Sequence, residues 1–213
     1  MNAPNFPPLE LPEAQYQPVM PDEPVLPLSV EGYHALLQAG ILQSGDPIEL
    51  LEGFMVLKTP KGKRHEFARR KLRRLLERLI SAEFFVDEQG VVTTADSEPE
   101  PDVFVVRGEI GDYLEDHAGP EDAVLIAEIA DSSIKRDRGT KQRVYARAKV
   151  AVYWIVDLVE NRIDVFTNPS GPDRWPKYQT PTSYLPGQEV PVVIDGREVG
   201  RIKVNDVIIP PTA

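Results

Sequence analysis

Glu100-Pro101-Asp102-Val103-Phe104-Val105-Val106 (residues 100–106) and Ala123-Val124-Leu125-Ile126-Ala127-Glu128-Ile129-Ala130-Asp131 (residues 123–131) decide the reading of this chain. Each contains a short, nearly unbroken apolar run, which suits a strand buried on both faces. Each also carries one carboxylate in that apolar setting. Asp102 opens the first run and Glu128 sits near the end of the second. A buried carboxylate is costly unless it is paired or bound to a cation. Two on neighbouring strands repel each other unless a proton or a metal lies between them. A divalent cation resolves the conflict by taking oxygen ligands from both. Taken singly, each residue has a blander explanation. Asp102 is then a strand-opening residue satisfied by a backbone N–H, and Glu128 a core residue paired with Arg or Lys.

Working outward, Ser29 caps a predicted helix from Val30 to Ala39, stopped by Gly40. Ile48 to Leu57 reads as two short strands turning near Glu52-Gly53, and Lys58 to Arg64 as a basic loop. A helix follows from about His65 to Ser81. Its Ala68, Leu72, Leu75, Leu76 and Leu79 form one apolar stripe, and Arg69, Arg70, Arg73, Arg74 and Arg78 lie on the other face. Phe84 to Thr94 reads as a strand with an irregular centre at Asp87–Gly90, and Gly108 to Asp122 as an acidic loop. A second long helix is expected from Lys135 to Ala148. Val152 to Leu158 and Arg162 to Thr167 form a hairpin around Glu160-Asn161, and short strands follow at Glu189–Ile194 and Arg201–Val204. This order predicts an α/β (α+β) fold, a mixed β-sheet flanked by helices. Residues 1–27 carry eight of the 21 prolines and predict an extended arm, with one domain over 28–213.

Composition narrows the chemistry. Cysteine is absent, which excludes disulfides, thiolate nucleophiles and thiolate metal sites. With three His residues, a metal site would rest on carboxylates, which favours Mg²⁺ or Mn²⁺. No apolar run is long enough to span a bilayer, and the N-terminus lacks the pattern of a signal peptide, so the expected location is cytoplasmic, with no membrane. The net charge of −10 speaks against a general nucleic-acid binder, but the charge is unevenly spread. Lys58 to Arg78 holds ten basic and two acidic residues, Glu83 to Asp131 one basic and fifteen acidic, and Lys135 to Lys149 seven basic and one acidic. Such runs either flank a metal site with a phosphate-binding rim or pair with one another as ordinary surface.

A metal held by Asp102 and Glu128 would suit phosphodiester hydrolysis. It would acidify a bound water and neutralise the scissile phosphate, while a nearby lysine steadies the developing charge. Lys141 is the candidate lysine, on the helix after the Glu128 strand. Pro101-Asp102, Glu128 and a following lysine resemble the PD-(D/E)XK nuclease superfamily. The wider set is closer to its restriction-endonuclease-like branch, widespread in bacteria and largely of unknown function. That set comprises Ile48-Glu49-Leu50-Leu51-Glu52-Gly53, His65, Glu100-Pro101-Asp102-Val103, Glu128-Ile129-Ala130-Asp131-Ser132-Ser133, Arg136-Asp137-Arg138-Gly139-Thr140-Lys141, Tyr145-Ala146 and Val152-Tyr153-Trp154-Ile155-Val156-Asp157.

The resemblance covers about residues 28–167. It implies a metal-dependent DNA endonuclease, without an organic cofactor, working as a homodimer. A catalytically silent, dimeric binding module of the same fold is the alternative. Carried over, Asp102 and Glu128 are metal ligands together with the carbonyl of Ile129, and Glu49 completes or assists the site. The superfamily places its lysine two residues after the glutamate, where this chain has Ala130. The branch instead supplies it from the helix, at Lys141. His65, Lys63, Arg64 and Arg138 are the expected contacts to nucleic acid. Asp137 is expected to support Lys141, and Tyr153 and Trp154 to pack the core.

Overall fold

The computed structural model of the chain describes residues 23–43 and 45–209. Most of the expected arm therefore lies outside the described residues. Its last part, residues 23–27, is exposed and forms neither helix nor strand. Helix α1 (Val30–Gln38) is capped by the Ser29 hydroxyl, which accepts from the Gly32 N–H. Strands β1 (Ile48–Leu51) and β2 (Phe54–Leu57) form an antiparallel hairpin. Its turn needs positive φ at Glu52 (51°) and Gly53 (78°), a conformation that glycine adopts without strain.

After helix α2 (Lys63–Leu76) the chain builds its sheet from β3 (Phe84–Asp87), β4 (Val103–Arg107), β5 (Ala123–Ala130), β6 (Val152–Asp157), β7 (Arg162–Thr167) and β8 (Thr182–Tyr184). The six strands lie side by side in chain order. Only β5 and β6 run parallel. A parallel neighbour needs a crossover, and helical segments supply it. These are α3 (Ile134–Arg136), a π-helical turn (Asp137–Lys141) and α4 (Gln142–Arg147). The chain ends in a second hairpin, β9 (Glu189–Ile194) and β10 (Arg197–Lys203), and α5 (Val204–Val207). This is the expected mixed sheet flanked by helices.

Side chains alternate along β4, β5 and β6, so the sheet has two apolar faces. One face packs Val103, Val105, Leu125, Ala127, Trp154 and Val156 against Ala68, Leu72 and Leu76 of α2 and the C-terminal hairpin. The other packs Phe104, Ile126, Tyr153 and Ile155 against Val144, Tyr145 and Ala146 of α4. Leu72 is fully buried between α2 and the sheet. Leu72→Ala is expected to cost about 2–5 kcal/mol, read as a lower urea midpoint with an unchanged slope.

Several boundaries differ from the sequence reading. Helix α2 stops at Leu76 because the chain turns there to set Leu79 and Ile80 against the core. Strand β3 ends at Asp87, and the segment that follows makes only an isolated bridge at Val92. The acidic loop contains a 3₁₀ turn at Ile110–Tyr113, and β8 was not anticipated. The single helix expected over 135–148 is broken by the π turn. Part of the charge segregation is ordinary pairing, since Arg73 meets Glu88, and Arg143 and Arg147 meet Glu52.

Candidate active site

The β4–β5 register pairs Val103 with Ala127, so one further step sets Asp102 opposite Glu128 on the sheet face that α4 covers. Both carboxylates are buried. Asp102 Oδ2 accepts from the Ile129 backbone N–H at 2.8 Å and lies 2.9 Å from His65 Nε2. The Lys61 ammonium sits 2.8 Å from Asp102 Oδ1 and is its ion-pair partner. Glu128 Oε1 accepts from Lys141 Nζ and from the Tyr145 hydroxyl, each at 2.8 Å.

The β1–β2 hairpin brings a third carboxylate. It docks through Glu98 N–H to the Leu50 carbonyl, which places Glu49 against residues 98–100. Glu49 Oε2 accepts from the Glu100 N–H and lies 3.1 Å from Lys141 Nζ. Lys141 is buried, and its one ammonium serves two buried carboxylates. The cluster opens into a small pocket that is also lined by Lys58, Lys61, Ser133 and Arg136.

These contacts set the electrostatics. Burial alone would raise the Asp102 carboxyl, but His65 and Lys61 outweigh it and hold it well below the usual carboxylate range. Glu128 is pushed up to about 8 by burial, with Lys141 opposing and Asp102, Asp137 and Glu49 adding to the rise. Burial opposes the charge on Lys141, but Glu128, Glu49 and Asp137 win and raise its pKa. Asp137, held by the Ser133 hydroxyl at 2.6 Å, is raised mainly by burial.

A glutamate raised this way favours the folded state most when protonated. In chelator-treated protein its contribution is therefore full below the ordinary 4.5 and is lost as pH rises through about 8. Glu128→Gln keeps the acceptor for Lys141 and Tyr145 and removes the ionisation. The variant is expected to melt above the parent by a margin that widens between those two pH values. A constant or shrinking margin would sink this account.

The blander explanations of Asp102 and Glu128 are each partly realised, through the Ile129 N–H and through Lys141. The geometry adds that both residues share one pocket with Glu49, Lys141 and His65. His65 is buried against Asp102 rather than presented on a surface. Lys63 is exposed on the first turn of α2. Arg64 donates to the Leu158 carbonyl, and Arg138 pairs with Asp157 and Asp164. Neither Arg64 nor Arg138 lines the pocket. Asp137 has no direct bond to Lys141, and Tyr153 and Trp154 are fully buried.

Two side chains were given no site role by the sequence reading. Lys61 was only part of a basic loop. Tyr145 stands four residues after Lys141, a spacing that could have marked both as sharing a helix face.

Among the described residues, no group of three or more His, Asp or Glu side chains is gathered closely enough to hold a metal by itself. The donors nevertheless suit a hard cation. Glu49 Oε1 is buried and lacks a hydrogen-bond donor, and Mg²⁺ commonly takes one or two carboxylates with water filling the rest.

The sequence model of the Uma2 family, described as “Putative restriction endonuclease”, matches residues 30–197. The chain belongs to the Uma2 family. No curated protein matches it. Among solved structures, this Uma2 chain is similar to a protein from Anabaena variabilis described as a “putative nuclease belonging to DUF820”. The two are 15% identical, and the match covers 85% of this chain and 97% of the other with a TM-score of 0.63. At that identity the likeness shows a shared, restriction-endonuclease-like fold. No helix among the described residues is long and apolar enough to cross a membrane.

Proposed function

We propose that this Uma2 chain is a metal-dependent endonuclease that hydrolyses phosphodiester bonds of DNA in the cytoplasm, with residues 28–213 as its catalytic domain and 1–27 as an arm. The observation that carries the reading is the placement of Asp102 and Glu128 across two adjacent strands, with Lys141 buried beside them. Asp102, Glu128 and the Ile129 carbonyl would hold Mg²⁺ or Mn²⁺. When bound, the ion would supply Lewis-acid activation of a water and charge neutralisation at the phosphate.

The chain's own residues do the rest. His65 and the Ile129 N–H hold Asp102 in place, and Tyr145 does the same for Glu128. Lys141, already ionised, orients the attacking water and steadies charge on the phosphate. Glu49 keeps the Lys141 ammonium in register. Lys58, Lys61 and Arg136 on the rim offer cations to a phosphate. The test is incubation of purified protein with supercoiled plasmid, linear DNA and RNA in Mn²⁺, with a chelator control. Cleavage of DNA that the chelator stops supports the reading, and no cleavage of any substrate overturns it.

A second reading, a catalytically silent dimeric module, draws on two observations. Lys61 and Lys141 already neutralise the carboxylates without a metal. Beside the site, β2 leaves Phe54, Met55 and Leu57 exposed, an apolar strip suited to a second copy. Calorimetry without Mn²⁺ binding, together with a stable dimer by light scattering, would favour it.

A further inference from the structure

Lys61 and Gly62 line the pocket and also a second, shallower groove along α2, where Lys63, Arg70, Lys71 and Arg74 stand. Helical spacing puts these four on one stripe, on the side of α2 away from the buried Ala68, Leu72 and Leu76. All four are exposed.

The other arginines of the helix are used differently. Arg69 is buried against Glu66 and Glu88, and Arg73 pairs with Glu77 and Glu88. Among the described residues, no carboxylate lies within ion-pairing distance of Lys63, Lys71 or Arg74. Arg70 is three-quarters exposed and has only Glu66 at 3.8 Å, which already serves Arg69 at 2.7 Å. The chain has 34 acidic and 24 basic residues, so carboxylates are in surplus, yet those among the described residues leave Lys63, Lys71 and Arg74 without an ion pair. Like charges three and four residues apart weaken a helix, and among the described residues only the long Arg70–Glu66 contact and Lys71 over the Phe67 ring at 5.6 Å offset that cost.

We infer that the outer face of α2 is a phosphate-backbone track that delivers one nucleic-acid strand to the pocket. This rests on the nuclease reading above and adds where, and by which residues, the strand is held. From Lys63 to Arg74 the helix rises about 16 Å. Phosphates on one strand of duplex advance by about 3.4 Å along its axis and are further apart along the strand itself, so a track of this length meets a few of them. Lys61, between the track and Asp102, is where the two meet. Within a chain of net charge −10, a basic track of this kind favours approach of a polyanion along α2.

The experiment is fluorescence anisotropy with a labelled duplex of about 20 base pairs, in Ca²⁺ to suppress cleavage, over a series of salt concentrations. Parent protein is compared with Arg70→Gln/Lys71→Gln/Arg74→Gln, and with the single reversal Lys71→Glu. Each lost phosphate contact flattens the dependence of log K on log salt by about 0.9, so the triple variant should be shallower by about 2.7 and bind at least about tenfold more weakly in low salt. Hydrolysis of bis(p-nitrophenyl) phosphate in Mn²⁺, which needs the pocket but no track, should be unchanged. Unchanged affinity and slope in the folded triple variant overturn the inference. So does loss of binding to anionic phospholipid vesicles with DNA binding intact. Weakened DNA binding in the variant supports the track even if the parent hydrolyses neither DNA nor the diester, an outcome that overturns only the catalytic reading.

Discussion

Asp102→Asn is expected to lower Mn²⁺-dependent DNA cleavage by about 1000-fold or more, with the fold intact. Asparagine matches the volume of aspartate, and its carbonyl oxygen can still accept from the Ile129 N–H. What it removes is the charge that faces Lys61 and His65 and that would face a cation. Without it the site has one strand carboxylate, Glu128, whose ionisation burial opposes before any metal binds. Cation affinity and charge stabilisation at the phosphate then fall together. Calorimetry should show Mn²⁺ binding lost in parallel with cleavage. Thermal stability should drop by only about 1–3 kcal/mol, the cost of poorly satisfied buried partners. A variant that cleaves as well as the parent would remove Asp102 from the chemistry.

Lys141→Met should produce the largest loss of stability. Lys141 is the buried cation between Glu49 and Glu128. Taking it away leaves two buried carboxylates facing each other, and breaking such a pair costs about 3–5 kcal/mol. In a domain of this size that corresponds to a melting point lower by roughly 6–20 °C. Two rescues distinguish a counter-ion from a merely well-packed side chain. Millimolar Mg²⁺ should restore part of the lost stability, because a divalent ion neutralises the same oxygens. The double variant Lys141→Met/Glu49→Gln should be more stable than Lys141→Met alone, which a double-mutant cycle measures as coupling. Additive losses, with no effect of Mg²⁺, would show that Lys141 is not the counter-ion. Cleavage by the single variant should fall about 100- to 1000-fold, consistent with the loss of one preorganised charge at the transition state.

Much of this site was legible in the sequence because burial and charge conflict there. Asp102 and Glu128 stand inside apolar runs, and a carboxylate in such a setting needs a partner wherever the strands are placed. Glu49 was harder to read. It sits in a short hairpin, and only the docking of that hairpin against residues 96–100 turns it, rather than Glu52, toward Lys141. Glu52 instead faces Arg143 and Arg147 of α4. For Arg138 the sequence showed the charge but not its partners. The π turn sets it against Asp157, at the C-terminal end of β6, and Asp164 of β7. Local pattern carries no information about which strand a helix crosses, so these pairings were beyond it.

The runs at 102–106 and 123–130 determined two central strands with a carboxylate on each, and the lack of cysteine excluded thiolate chemistry, because those properties follow from residue identity and period alone. The tertiary structure decided the rest. The antiparallel register brought Asp102 opposite Glu128, the crossover buried Lys141 between Glu128 and Glu49, and α2 set His65 under Asp102 while leaving a basic row outward. The reason is that a charge becomes chemically consequential through its distance to other charges and its exclusion from water, and neither is a property of a position in the chain.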